Sequence, residues 1–178
     1  MSVEFRLETT GAQAIERSLA GLVTKFGDIE PLMTDIGVYL ESATIERFDN
    51  ETAPDGSRWT PSARAKRDSG KTLTDTAQLR SSITSEASGS SVAVGTNKIY
   101  ARIHQLGFDG TIQVKGHKRT IHEAFGRSLK APVTFDVDPF ERLLNMPARP
   151  FLGLSAEDET EILAQVEDYA RDAVGGAL

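Results

Sequence analysis

The 178-residue sequence has no cysteine, one tryptophan and three histidines. Without Cys there is no disulfide framework, no thiolate nucleophile and no zinc site built on thiolates. No apolar run approaches the ~18 residues that span a bilayer, and the start lacks the basic-then-apolar pattern of a signal peptide. A soluble protein made inside the cell, with no membrane partner, is therefore expected. The length fits one domain, 1–178, burying about 70% of the surface that the unfolded chain would expose.

The net charge of −6 argues against a protein whose main work is gripping phosphate backbones. Its distribution is more informative. Residues 1–54 carry four basic and ten acidic side chains, residues 55–130 thirteen and six, and residues 131–178 three and ten. A basic middle between acidic flanks suits head-to-tail association of identical subunits, although an uneven solvated surface gives the same pattern.

Val3, Phe5 and Leu7 alternate with charged residues, as in a half-buried strand. Ile15, Leu19, Leu22 and Phe26 recur at helical spacing up to Gly27. Asp28 and Pro31 mark the start of a second helix, whose apolar set Ile29, Leu32, Met33, Ile36, Leu40, Ala43 and Phe48 predicts a long element ending near Asn50. Residues 53–71 lack periodicity and read as a long, basic, flexible loop. Runs at 82–87 and 91–95 predict a hairpin around Gly89. Ile99, Ile103 and Leu106 fit a short helix closed by Gly107.

Residues 108–146 contain three strand-like runs interrupted by turn residues and read as an inserted β-rich arm. Pro147 and Pro150 keep residues 147–151 extended. Ser155 and Asp158 then form a capping-box pattern before a C-terminal helix carrying Ile162, Leu163, Val166, Tyr169 and Ala173.

Catalytic signals are missing. Ser69-Gly70-Lys71-Thr72 echoes a phosphate-binding loop, but Ala65 occupies the required upstream glycine position and no strand precedes it. His104, His117 and His122 show no metal-ligand spacing, and no GxSxG elbow exists. His104 reads as a structural histidine with its ring hydrogen-bonded. Trp59 either anchors a partner or covers the long helix beside Phe48. The basic residues of the middle segment offer contacts to an acidic protein surface or, as the alternative function, to DNA.

In order, Phe48, Pro54-Asp55-Gly56, Trp59, Asp75-Thr76-Ala77-Gln78-Leu79, Val94-Gly95-Thr96, Tyr100-Ala101, His104-Gln105, Gly107 and Pro147-Ala148-Arg149-Pro150-Phe151-Leu152-Gly153 resemble the phage virion morphogenesis family. This group includes the Mu G protein-like and P2 S protein-like tail completion proteins. Ala77 departs from the family's usual glycine, which bears on the backbone conformation of that turn. The variable arm is a second departure.

The resemblance implies an α+β fold like that of small neck proteins of long-tailed phages: a small antiparallel or mixed sheet packed with the long and C-terminal helices. It also implies a structural role in the virion at the neck or tail end, in tail completion and head–tail joining. The chain would be made in the host cytoplasm and would form a ring, six-fold in this reading. Neighbours would be an adaptor or stopper protein and a tail terminator or tail tube protein, with DNA only passing through the channel. No catalytic residue, cofactor or metal is implied. The matched motifs make Trp59, Arg149 and Phe151 expected interface positions, and the basic, turn-rich composition of the loop and arm adds Arg64, Lys66, Arg67, Lys115, Lys118, Arg119, Phe125 and Arg127. Pro54, Gly56, Asp75, Thr76, Tyr100, His104, Gln105, Gly107, Pro147 and Pro150 are expected to shape the fold.

Overall fold

Two helices and a hairpin build the core, and a long ribbon leaves it. The computed structural model describes residues 15, 17, 20–23, 27–124 and 126–175. The strand expected at Val3, Phe5 and Leu7, the side chains of Leu19 and Phe26, and Phe125 lie outside the described residues. Ile15, Arg17 and residues 20–23 are helical, and Gly27 follows with φ +80° and its N–H bonded to Val23 O.

Helix α1 runs Glu30–Asn50, with Pro31 in its first turn. Asp28 Oδ1 accepts from Glu30 N at 2.9 Å, so the acidic residue satisfies one of the first-turn donors. Ile15, Leu22, Ile29, Leu32, Met33 and Ile36 form one core with Ile162 and Val166. The last two belong to helix α4, Ala156–Gly175. Its start is the reciprocal box expected: Ser155 Oγ accepts from Asp158 N, and Asp158 Oδ2 accepts from Ser155 N.

Strands β1, Ile83–Ser88, and β2, Ser91–Thr96, pair antiparallel as the predicted hairpin and lie against α1. Gly37 makes that approach possible. A Cβ there would stand 3.0 Å from Val92 Cγ2 and 3.2 Å from Ser85 Cβ, tighter than ordinary contact. A second core gathers Phe48, Ala53, Trp59, Leu79, Ile83, Ala101, Phe151 and Leu152.

Residues 53–71, read from the sequence as a flexible loop, contain regular structure. Residues Ala63–Asp68 form a short helix, α2, capped by Ser62. Around it, Trp59 N donates to Glu51 O, Ala53 N to Ser57 O and Thr72 N to Glu51 Oε1. The Ala53–Ser57 bond is a local turn, whereas the other two come from Glu51 at the end of α1, far enough along the chain to escape local periodicity.

Helix α3, Ala101–Leu106, ends at Gly107. There φ is +74°, and a Cβ would lie 2.8 Å from Ala148 N and 2.9 Å from Met146 O. The spacing found this helix but not its orientation. Ala101 and Gln105 are buried, whereas Ile99, Ile103 and Leu106 are exposed.

The arm is one antiparallel ribbon in two stretches. Strand β3, Phe108–Val114, pairs with β6, Phe140–Met146; farther out β4, His117–Ala124, pairs with β5, Arg127–Val137. The described strands thus form three two-stranded sheets. The chain is α+β, with small antiparallel sheets, one long helix and a C-terminal helix.

Candidate functional site

Two features stand out: a knot of side chains around residues 147–153, and the exposed ribbon. The knot begins with Gln105 on α3, buried to 4% exposure. Its Oε1 accepts from both Phe151 N and Leu152 N at 3.0 Å, while Nε2 donates to Leu152 O at 2.8 Å. One amide side chain therefore satisfies an irregular segment as a ladder strand would. Arg149 N donates to His104 O at 2.7 Å, and Arg149 Nε to Thr60 O at 2.7 Å. Trp59 Nε1 reaches Pro150 O at 2.8 Å.

From the opposite side, Arg47 of α1 donates to Phe151 O and Gly153 O at 3.0 and 2.8 Å, and pairs with Asp158 in the interior. Tyr39 completes the group by donating to Asp158 Oδ1 at 3.2 Å. Burial and the Asp158 carboxylate push its hydroxyl up to about 12, which keeps the phenol a donor. Phe48 packs edge-on against Trp59 and tilted against Phe151, with ring centroids 5.4 and 5.2 Å apart.

This geometry corrects three interface expectations. Trp59, Arg149 and Phe151 are buried at 5%, 5% and 0% exposure, and Trp59 Nε1, Arg149 Nε and the Phe151 N–H bond within the chain. They hold the fold. Trp59 follows its other reading and covers α1 beside Phe48. Pro150 joins the knot through its carbonyl, whereas Pro147 stays exposed. His104 also departs from expectation, because its buried Nδ1 has no hydrogen-bond partner among the described residues. Burial first, and the neighbouring Arg149 charge second, lower its basicity.

The basic residues divide. Arg64 bonds Lys71 O and pairs with Asp75, and Arg67 pairs with Asp68. Lys66, Lys115, Lys118, Arg119 and Arg127 are exposed and make no ion pair among the described residues. Asp75 and Thr76 are exposed, Pro54 is half-buried, and Gly56 turns with φ +79°. Tyr100 stands edge-on to His104 at 6.1 Å.

The ribbon has sidedness. On β3 and β6 the register places Phe108, Ile112, Val114, Phe140, Leu144 and Met146 on one face with Arg142. On β4 and β5 it places Ile121, Val133, Phe135 and Val137 together with His117 and Arg119; Lys118, Thr120, Thr134 and Asp136 take the other side. Val133, Phe135 and Phe140 are 50%, 43% and 44% exposed. Val133, Phe135 and Val137 alternate along β5, but their pairing with Ile121, Arg119 and His117 is nonlocal, so only the register shows the shared face.

The Ser69-to-Thr72 string follows a short helix, and Thr72 is wholly buried with its N–H on Glu51. Among the described residues no three His, Asp or Glu side chains converge as metal ligands, and no described helix is long and apolar enough to cross a membrane.

Comparison with known proteins agrees with the motif reading. The family model described as "Phage virion morphogenesis family" matches residues 10–171. The chain is 32% identical over 163 residues to Mu-like prophage FluMu G protein 2 of Haemophilus influenzae, covering 92% of this chain and 94% of that one. No solved structure matches it. The match runs through both cores, the knot and the arm, and this chain belongs to the phage virion morphogenesis family.

Proposed function

We propose that the protein is a structural component of a tailed-phage virion that completes the tail and joins it to the head as a ring-forming neck protein, six copies to the ring. The observation that supports this most is the arm. At about 3.3 Å per residue, seventeen positions from Phe108 to Ala124 reach up to about 55 Å, and an isolated two-stranded ribbon is at best marginally stable in water. Such an arm is built to lie on something. In this reading its neighbours are a second copy, an adaptor or stopper protein, and a tail terminator or tail tube protein.

The alternative, DNA binding through the basic middle, has less support. Four of the thirteen cations of residues 55–130, Arg64, Arg67, Lys71 and Arg80, pair with carboxylates of the same chain, and the chain as a whole carries a net charge of −6, which opposes tight phosphate binding. The decisive experiment is a phage or prophage in which the gene is inactivated. Tails with defective ends beside filled, unjoined heads are expected, with the protein located at the tail end in a reconstruction of complemented particles. Complete infectious particles without the protein would end the proposal, and nanomolar binding to short duplexes at physiological salt would favour DNA.

A further inference from the structure

Opposite charges sit on separate parts of this chain. Residues 115–130 carry Lys115, Lys118, Arg119, Arg127 and Lys130 against Glu123 alone. Helix α4 carries seven carboxylates against Arg171, and α1 carries five against Arg47. Between α1 and the start of α4 lies a cleft of about 500 Å³, with Tyr39, Ser42, Glu46, Asp55 and Glu157 in its wall. The cation there, Arg47, is already buried against Asp158.

We propose that the apolar face of the distal arm, formed by Ile121, Val133, Phe135 and Val137, docks on the acidic α1–α4 surface of a second copy of this chain. The apolar strip excludes water at the centre of the contact. The flanking lysines and arginines set orientation and speed encounter more than they add affinity. DNA fits this face poorly, because its middle is aliphatic and aromatic and its cations lie on both sides of the ribbon. A second copy fits by charge, and it is present wherever the protein is. Because donor arm and acceptor helices are different surfaces, the contact is heterologous and propagates around a ring.

The inference rests on the ring reading and is tested apart from it. The full chain is compared with Phe135→Asp and with Thr134→Asp, which puts the same charge on the opposite face of the same ribbon. Light scattering is expected to show assembly for the parent and Thr134→Asp. For Phe135→Asp, assembly should require at least tenfold more protein, with an unchanged helical circular dichroism spectrum. Since the parent has no Cys, a second measurement needs no disruption: Arg119→Cys protein mixed with Glu46→Cys protein is expected to form a covalent heterodimer on oxidation, whereas Thr134→Cys with Glu46→Cys is not. If the parent assembles and Phe135→Asp assembles equally well, with no selective cross-link, this face is not the contact while the ring survives. If the parent stays monomeric and no cross-link forms, the inference falls. Arm protection in assembled particles would then assign the face to another virion protein.

Discussion

Gln105 and Phe151, 46 positions apart, are joined by a 3.0 Å bond from the Phe151 N–H to the Gln105 side-chain oxygen, and Leu152 N shares that oxygen. The bond fixes an irregular stretch that runs through the interior. Gln105→Ala leaves two buried N–H groups and one carbonyl unpaired, and a loss of about 2–4 kcal/mol follows. Urea denaturation measures it. A loss below about 1 kcal/mol would mean that water replaces the amide.

Trp59→Ala removes the lid of the second core and the bond to Pro150 O. A loss of about 3–5 kcal/mol is expected, so the variant fails by unfolding before any joining defect can be seen. Trp59→Phe keeps the packing and loses the hydrogen bond, at about 1 kcal/mol. Thermal melts rank the two. A Trp59→Ala protein as stable as the parent would place this residue at a contact surface after all.

Acid lowers stability through His104. Its folded-state basicity is depressed by burial and by Arg149, so the unfolded chain takes up the proton first as pH falls below about 6.5. The stability present above that pH is lost progressively on the way down. His104→Gln, which cannot be protonated, is expected to show a shallower acid slope in denaturation midpoints between pH 8 and pH 5. Equal slopes would refute the assignment.

Ala77 holds φ at +56°, in the left-handed region where a Cβ costs roughly 1–2 kcal/mol. Glycine relieves that cost but loses part of the gain to the greater freedom of the unfolded chain. Ala77→Gly is expected to stabilise by about 0.5–1 kcal/mol, read as a higher melting temperature. A lower one would show that the methyl group packs usefully.

Trypsin distinguishes the two regions that the sequence presents as alike. The arm, with Lys115, Lys118, Arg119, Arg127 and Lys130 on a two-stranded ribbon, should be cut first, because such a ribbon opens at low cost. Residues 64–71 should resist until the core unfolds. Mass spectrometry of early fragments decides the order, and early cleavage after Arg67 would contradict the anchoring described.

Local signals carried the helices α1 and α4, with their starts at Asp28–Pro31 and Ser155–Asp158, and the hairpin around Gly89. Each depends on residues within a few positions of one another. What stayed hidden is nonlocal. The order of residues 53–71 comes from Glu51, Asp49 and Arg149, and Gln105 could be read only as part of a motif because its partners lie 46 and 47 positions away. Trp59, Arg149 and Phe151 looked like contact residues because irregular backbone has no period from which burial can be read. The reversed face of α3 has the same origin. Spacing groups Ile99, Ile103 and Leu106 together, but only the tertiary structure shows which side is covered.

The close passage of Gly107 beside Ala148 makes the ribbon a detour. The chain leaves the core at one point and re-enters at the same point, sealed by the Phe108–Met146 pair. The body of the molecule therefore meets the same two backbone ends whatever lies between them. Length, charge and apolar content of the detour can be rewritten by insertion or exchange while every bond of the knot stays in place. With the arm contact proposed above, recognition and folding fall to separate stretches of one chain, and a new neighbour can be accommodated without a new core.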